Sequence, residues 1–155
     1  MLLRPNPTNG CFGCGGSNAR GMQLTFEQDD AARRIRGLFR LSADYQGAKG
    51  FVHGGIIATL LDEVMAKVSR FGGEHAVTAE LTVEYKRPVP VDEDIVVEGW
   101  EVKVSERNRF REGEIRDASG VVLARGRGKF TLIDPQRLRP SSGAGALSAN
   151  RDGEG

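Results

Sequence analysis

The sequence has few of the residues that mark disulfide-rich, metal-binding or membrane-spanning proteins. Among its 155 residues there are 2 cysteines and 2 histidines, and aromatic residues make up 6%. Two cysteines cannot form a disulfide scaffold, so we expect a protein of the reducing cytoplasm. No apolar run approaches the roughly 18 residues of a membrane span, and the first residues lack the apolar stretch of a signal peptide. We therefore expect neither a membrane anchor nor secretion.

The charges are balanced rather than of one sign. Lys and Arg number 22, Asp and Glu number 21, and the formal net charge is +1. A dedicated nucleic-acid-binding domain is normally strongly basic, so nucleic acid is not an expected partner. With 28% charged and 39% hydrophobic residues, the composition is that of a folded protein. A chain of this length is expected to form one domain.

Three regions of the chain differ in composition. Residues 1–21 are rich in Gly, Asn and Pro and have no apolar period, which predicts an irregular arm. Residues 134–155 carry Pro, Ser, Gly and Ala with little to bury, which predicts a disordered tail. The patterned part between them, residues 22–133, is expected to be the folded domain.

Apolar patterns within that domain predict a single helix among strands. Strands are expected at residues 22–28 and 32–41, followed by a helix at residues 54–70 that ends in glycines. Short turns between strands around a lone helix indicate an α+β fold, an antiparallel sheet with the helix packed on one face. About four more strands are expected after the helix, at residues 78–86, 94–105, 121–133 and the polar, ambiguous stretch 108–117.

The predicted helix divides into three faces. Glu63, Lys67 and Arg70 form a charged stripe, whereas Asp62 lies among small side chains such as Thr59. Asp62 is therefore either a solvated acid beside Glu63 or part of a surface on which a ligand or a second subunit packs closely. The expected core face comprises Ile56, Ile57, Leu60, Leu61, Val64, Met65 and Val68.

The start of this helix also has unusual chemistry. His53-Gly54-Gly55 precedes it, without a Ser or Thr cap, and two glycines allow another molecule to approach the backbone. The first amides of a helix have no internal acceptor and suit a ligand oxygen that gains negative charge. Asp62 lies roughly 13.5 Å from His53 along the axis at 1.5 Å per residue. Either a ligand group spans that distance, or the Asp62 of a second subunit meets this helix start.

These motifs resemble a known family. The stretch Gln-Gly-Ala-Lys-Gly-Phe-Val-His-Gly-Gly at residues 46–55, followed by Asp62, resembles the hotdog-fold acyl-CoA thioesterases of the PaaI type. The strand pattern at residues 78–88 and the Cys-Phe-Gly-Cys-Gly opening at residues 11–15 resemble the same family. The similarity spans about residues 11–133.

The resemblance implies a hotdog fold, in which a curved antiparallel sheet wraps around one long central helix. It also implies a homodimer with a continuous sheet, often paired into a homotetramer, and active sites at the subunit interface. The implied substrate is an acyl-CoA thioester, and no separate cofactor is expected.

Roles for individual residues follow from the same resemblance. The Gly54 amide would polarise the thioester carbonyl, with Gly55 beside it in the substrate site. Asp62 would activate water or attack the carbonyl directly, and the Thr78 hydroxyl would help to hold the water. His53 is expected to be a structural hydrogen-bonding residue at the helix entry rather than a proton carrier.

Further substrate contacts are expected from a loop and from basic side chains. Many relatives have Asn at the position of Gly47, and the adjacent Gln46 is the candidate to replace that contact. The phosphates of CoA require Arg or Lys, although a solvated sheet face would also explain the basic residues. The expected phosphate-binding residues are Lys86, Arg87, Lys103 and Arg127.

The pair Cys11 and Cys14 has the spacing of a zinc or redox motif. Zinc would need two further ligands, and the sequence has no second cysteine pair. A redox pair normally precedes a helix, a pattern that is missing here. We therefore expect a structural arm and no metal site.

Three functions are compatible with the fold that these residues indicate. The first is acyl-CoA thioester hydrolysis, and the second is an acyl-CoA-binding module without catalysis. A hotdog hydratase or dehydratase is the third, but its His-and-acid motif has no match in this sequence. The nucleophile motif G-x-S-x-G of serine hydrolases is also missing.

Overall fold

The computed structural model describes residues 1–138, in which one α-helix packs on one face of an antiparallel sheet. The helix α1 spans Gly54–Lys67 and continues as a 3₁₀ helix over Val68–Gly72. Gly73 ends it in the left-handed conformation, with φ 63°, which a glycine adopts without strain. The strands are β1 Leu2–Leu3, β2 Phe26–Asp29, β3 Arg34–Arg40, β4 Ala76–Tyr85, β5 Asp94–Ser105, β6 Asn108–Asp117 and β7 Val122–Leu132.

The strands form one sheet in the order β1-β2-β3-β5-β6-β7-β4, and every neighbouring pair is antiparallel. The predicted α+β arrangement is therefore confirmed. The ambiguous stretch 108–117 is β6, which lies inside the sheet between β5 and β7. Strand β4, which directly follows the helix region, forms one edge of the sheet.

The helix packs closely on the sheet because glycines lie beneath it. A Cβ at Gly99 of β5 would lie 3.0 Å from the Val64 carbonyl oxygen, and one at Gly126 of β7 would lie 3.1 Å from the Met65 Cε. Ile56 is only partly buried, unlike the rest of the expected core face. The buried residues of α1 are Ile57, Leu60, Leu61, Val64 and Met65.

Both ends of the described chain carry structure that the predicted irregular arm and disordered tail do not include. The arm is irregular over most of its length, but its first residues form β1, and Leu3 is buried in the core. The tail begins with a short 3₁₀ helix at Pro135–Leu138, and the rest of the predicted disordered segment lies outside the described residues. Within residues 1–138, no helix combines the length and apolarity needed to cross a bilayer.

Candidate active site

His53 caps the start of α1 with its side chain. Its Nδ1 accepts a hydrogen bond of 2.9 Å from the Gly55 amide, and its carbonyl accepts from the amides of Ile56 and Ile57. Its own amide donates to the Tyr45 carbonyl at 2.8 Å. His53 therefore takes the structural position at the helix entry that was expected for it, and it replaces a Ser or Thr cap.

Because His53 caps the helix, only one of the two glycine amides has a hydrogen-bond acceptor within residues 1–138. The Gly55 amide is occupied by His53, whereas none of the hydrogen bonds within the described chain uses the Gly54 amide. The Tyr85 hydroxyl donates to the Gly54 carbonyl at 2.8 Å, and its ring lies 3.5 Å from the place of a Gly54 Cβ. Gly54 thus offers one amide donor at the positive end of the helix.

Tyr85 was missed as a site residue. It is the last residue of β4, on the same face of the strand as the partly buried Leu81 and Val83. The alternating pattern could have placed it on the helix side of the sheet. Its position beside Gly54 depends on where β4 crosses α1, which local pattern does not reveal.

The structure brings two of the predicted site residues, Asp62 and Thr78, into contact. Thr78 Oγ1 donates to Asp62 Oδ1 at 2.7 Å. Thr78 lies in β4 at a register shift between Thr78 and Glu80, where a bulge turns a side chain away from its regular direction. The carboxyl is half-buried, and the hydroxyl holds one of its two oxygens in a fixed orientation.

The surroundings of Asp62 change its acidity. Burial raises the pKa of its carboxyl, the Thr78 hydrogen bond lowers it, and the negative charge of Glu63 raises it, with a net upward shift of the pKa. None of the ion pairs within residues 1–138 includes Asp62. A carboxylate with a raised pKa and no cation is a stronger base than an exposed aspartate.

Gln46 holds its own loop together. Its Oε1 accepts from the Gly50 amide at 3.2 Å, and its side chain is exposed. The neighbouring Gly47 lies against His53, since a Cβ there would be 3.2 Å from the His53 Cα. A substrate contact by Gln46 stays a prediction.

Among the described residues, the four expected phosphate-binding side chains are spread along the sheet, although Lys86 and Arg127 both lie 3.4 Å from Glu84. Lys86 and Arg87 directly follow Tyr85, so they lie near the start of α1, and Lys86 is 3.4 Å from Glu84. Arg127 pairs with Glu84 at 3.4 Å on the outer face of the sheet. Lys103 lies over the Phe110 ring at 5.6 Å, near the other end of the strands. At about 3.3 Å per residue, Lys86 and Lys103 are roughly 20 Å apart along the strand direction.

Known proteins are similar to this chain in sequence and in fold. The family model of the thioesterase superfamily matches residues 49–124. The rat acyl-coenzyme A thioesterase THEM4 is 31% identical over 118 residues, which cover 76% of this chain and 51% of the relative. The chain therefore spans about half the length of this curated relative.

Solved structures show the same similarity. The crystal structure of a thioesterase superfamily protein has a TM-score of 0.71 and 35% identity, over 76% of this chain and 57% of that one. *Escherichia coli* PaaI has a TM-score of 0.60 and 19% identity, over 63% and 75%. Smu.793 of *Streptococcus mutans*, bound to acetyl CoA, has a TM-score of 0.62 and 19% identity, over 64% and 81%. With its single helix on an antiparallel sheet, the chain has the PaaI-type hotdog fold, and its residues 49–124 match the model of the thioesterase superfamily.

Proposed function

We propose that the chain hydrolyses acyl-CoA thioesters to a free acid and CoA. The observation that carries the proposal is the half-buried Asp62 carboxyl, whose pKa is raised and whose orientation is held by Thr78. The rat relative is named an acyl-coenzyme A thioesterase, and the *Streptococcus mutans* structure binds acetyl CoA. Both support an acyl-CoA substrate for this chain.

The Gly54 amide is proposed to donate to the thioester carbonyl oxygen. Negative charge grows on this oxygen when the carbonyl carbon is attacked, and the amide and the helix dipole stabilise it. One such donor typically supplies ~2.7–4 kcal/mol of transition-state stabilisation. The substrate carbonyl can approach because Gly54 has no side chain.

Asp62 is proposed to act as the base. Thr78 occupies Oδ1, so Oδ2 is left to accept a proton from a water molecule. The resulting hydroxide bonds to the carbonyl carbon, the carbon–sulfur bond breaks, and CoA leaves as a thiolate that is then protonated. In the alternative route the carboxylate itself attacks, and water hydrolyses the mixed anhydride.

The reaction needs two copies of the chain. Asp62 lies eight residues beyond Gly54 on α1. At 1.5 Å per residue they are roughly 12 Å apart along the axis, too far for both to contact one carbonyl group. Strand β4, which carries Thr78, is an edge strand and can continue its sheet into a second copy. We propose a homodimer, which can pair into a tetramer, with each site formed by Gly54 of one copy and Asp62 of the other.

Lys86 and Arg87 are proposed to bind the CoA phosphates. These two residues directly follow Tyr85, whose hydroxyl donates to the Gly54 carbonyl. Of the four basic candidates they are therefore closest along the chain to a residue that contacts Gly54. Arg127 and Lys103 remain candidates for contacts made across the dimer interface.

The test is the release of thiol from a series of short, long and aromatic acyl-CoA thioesters. We expect Asp62→Asn to lower hydrolysis by ~10²–10⁴-fold, because an amide cannot act as a base. The matched control is Glu93→Gln at an exposed turn, which should retain full activity. Circular dichroism of both variants checks the fold. Unchanged turnover in folded Asp62→Asn would refute the assigned base, and binding of acyl-CoA by the wild type without thiol release would support the non-catalytic module instead.

A further inference from the structure

A second group of reactive side chains lies where the N-terminal arm crosses α1. The Cys11 and Cys14 sulfurs and a carboxylate oxygen of Glu63 all lie within 4.8 Å of one another, and all three side chains are half-buried. The Cys11 Sγ donates to Glu63 Oε1 at 3.3 Å. Contrary to the expectation of no metal site, we propose that these three residues bind a thiophilic divalent cation, with Zn²⁺ as the best fit, because the fold brings Glu63 to the cysteine pair as a third ligand.

The ligand types and spacing suit zinc. Cysteine pairs separated by two residues are common in zinc sites, and a carboxylate serves as a further ligand. A tetrahedral ion with Zn–S of about 2.3 Å and Zn–O of about 2.0–2.2 Å places its ligand atoms roughly 4 Å apart. Because the three donor atoms are already within 4.8 Å, small side-chain rotations are sufficient to reach this geometry.

Glycines allow the turn to reach Glu63. A Cβ at Gly13 would lie 2.5 Å from the Glu63 Cδ, so a larger residue there would push the Glu63 side chain away from its present position against the arm. A Cβ at Gly15 would lie 2.3 Å from the Asn9 carbonyl oxygen. The Gly15 amide donates to the Cys11 carbonyl at 2.9 Å, which closes the turn that carries both sulfurs.

The charges around the cluster balance when a divalent cation is bound. The Lys67 ammonium donates to the Cys14 Sγ at 3.0 Å. As the two Zn–S bonds form, the two thiol protons leave to solvent, giving two thiolates beside the carboxylate. The ion and the Lys67 ammonium together neutralise these three negative charges, and Lys67 remains a hydrogen-bond donor to the bound sulfur.

The fourth coordination position is assigned to water. The cluster opens into a surface cavity of about 680 Å³, which is also lined by Asn9 and His75 and has room for solvent. The ion would fasten the arm to α1 across 52 residues of sequence, between Cys11 and Glu63. Its proposed effect is on stability, and it does not depend on the proposed hydrolysis.

The test loads the full chain, freshly reduced, with Co²⁺ or Zn²⁺. We expect one bound ion per chain, and the Co²⁺ form should show the strong sulfur-to-metal charge-transfer absorption of thiolate ligands. Glu63→Gln should weaken binding by at least ~10-fold, since even outer-shell partners of metal ligands contribute 10–100-fold. Cys11→Ser and Cys14→Ser should each weaken the charge-transfer band, and the double variant should remove it.

Glu93→Gln is the matched control and should bind like the wild type. Adding a chelator should lower the thermal midpoint of the wild type and leave that of Cys14→Ser unchanged. The proposal is overturned if the reduced wild type binds no stoichiometric ion, or if Glu63→Gln binds it as tightly. Stoichiometric binding is measured on the wild-type chain, so this part of the test stays valid even if a cysteine variant fails to fold.

Discussion

Two neighbouring acids on α1 point toward different parts of the molecule. Asp62 faces edge strand β4, where the Thr78 hydroxyl is its hydrogen-bond partner. Glu63 faces the N-terminal arm, where it accepts from the Cys11 thiol and lies close to Cys14. Both side chains are half-buried.

The neighbours of the two acids determine their different chemistry. Beside Asp62 there is a neutral donor and no ion-pair partner within the described residues, so burial raises the pKa of its carboxyl. Beside Glu63 lie the sulfurs of Cys11 and Cys14, and the Lys67 ammonium donates a hydrogen bond to the Cys14 sulfur. We infer that the first environment favours a base, whereas the second favours a cation ligand.

The largest expected effect is that of Asp62→Asn, which should abolish the function of one acid and leave that of the other intact. Asp62→Asn should lose hydrolysis by ~10²–10⁴-fold and still bind one Zn²⁺ per chain, because its carboxyl is not a ligand. Thiol release and metal content can be measured on the same preparation. Loss of the ion in folded Asp62→Asn would show that the two faces of α1 are coupled, contrary to this expectation.

Gly54→Pro should lower kcat by ~10²–10³-fold, the usual cost of losing one oxyanion donor. Proline removes the amide donor, adds a ring at this position, and is well tolerated at the first position of a helix. The preceding His53 has φ −59° and ψ 138°, which a following proline accepts. The control is Gly54→Ala, which keeps the amide and adds a Cβ at an ordinary 3.5 Å from Tyr85, so it measures the cost of a side chain at this position by itself. Equal rates for Gly54→Pro and Gly54→Ala would contradict the role of the amide.

Thr78→Val should lower activity at neutral pH by ~10-fold or more, since a hydrogen bond to a charged group contributes ~1.5–3 kcal/mol. That bond lowers the pKa of Asp62, so its removal should raise this pKa further. Activity needs the carboxylate and falls as pH drops through its pKa. The acidic limb of the kcat/KM profile should therefore move to higher pH. A limb that stays in place, or moves to lower pH, would show that Asp62 is not the group being titrated.

The smallest expected effect is on stability. A carboxyl whose pKa is raised by folding destabilises the folded state above that pKa, and this penalty vanishes below the pKa of the unfolded chain, ~3.9 for Asp. Asp62→Asn should thus be more stable than the wild type at neutral pH and equally stable in acid. Urea unfolding at both pH values measures the difference. Lower stability of Asp62→Asn at neutral pH would contradict the sign of the shift.

The sequence predicts the helix well because its apolar period and its terminal glycines are local signals. Through family resemblance it also indicates Asp62 and Thr78 as site residues, but the hydrogen bond between them is seen only in the structure. Strand β6 was ambiguous for a reason that only the fold reveals. Its Arg111 is fully buried and donates to the Met65 carbonyl at 3.1 Å and to the Ser69 hydroxyl at 2.9 Å, beneath the end of α1. Because arginine is seldom fully buried, its presence makes the sequence of this strand look too polar for a position inside the sheet.

The contacts that were missed all join distant parts of the chain. Strand β1 consists of two residues and forms only because β2 lies beside it. Tyr85 reaches Gly54 across 31 residues. Glu63 was expected only to belong to a charged stripe, yet it lies against the arm. No local period contains such information, since it depends on which elements pack together.

The most direct test of the shared active site mixes two inactive variants. Asp62→Asn and Gly54→Pro chains are unfolded together, refolded in equal amounts and assayed for thiol release. In a two-fold symmetric dimer, hybrids contain one intact site, so about a quarter of the wild-type activity should return. If Gly54 and Asp62 acted within one chain, every site in the mixture would carry a defect and no activity would return, which would contradict the proposed site.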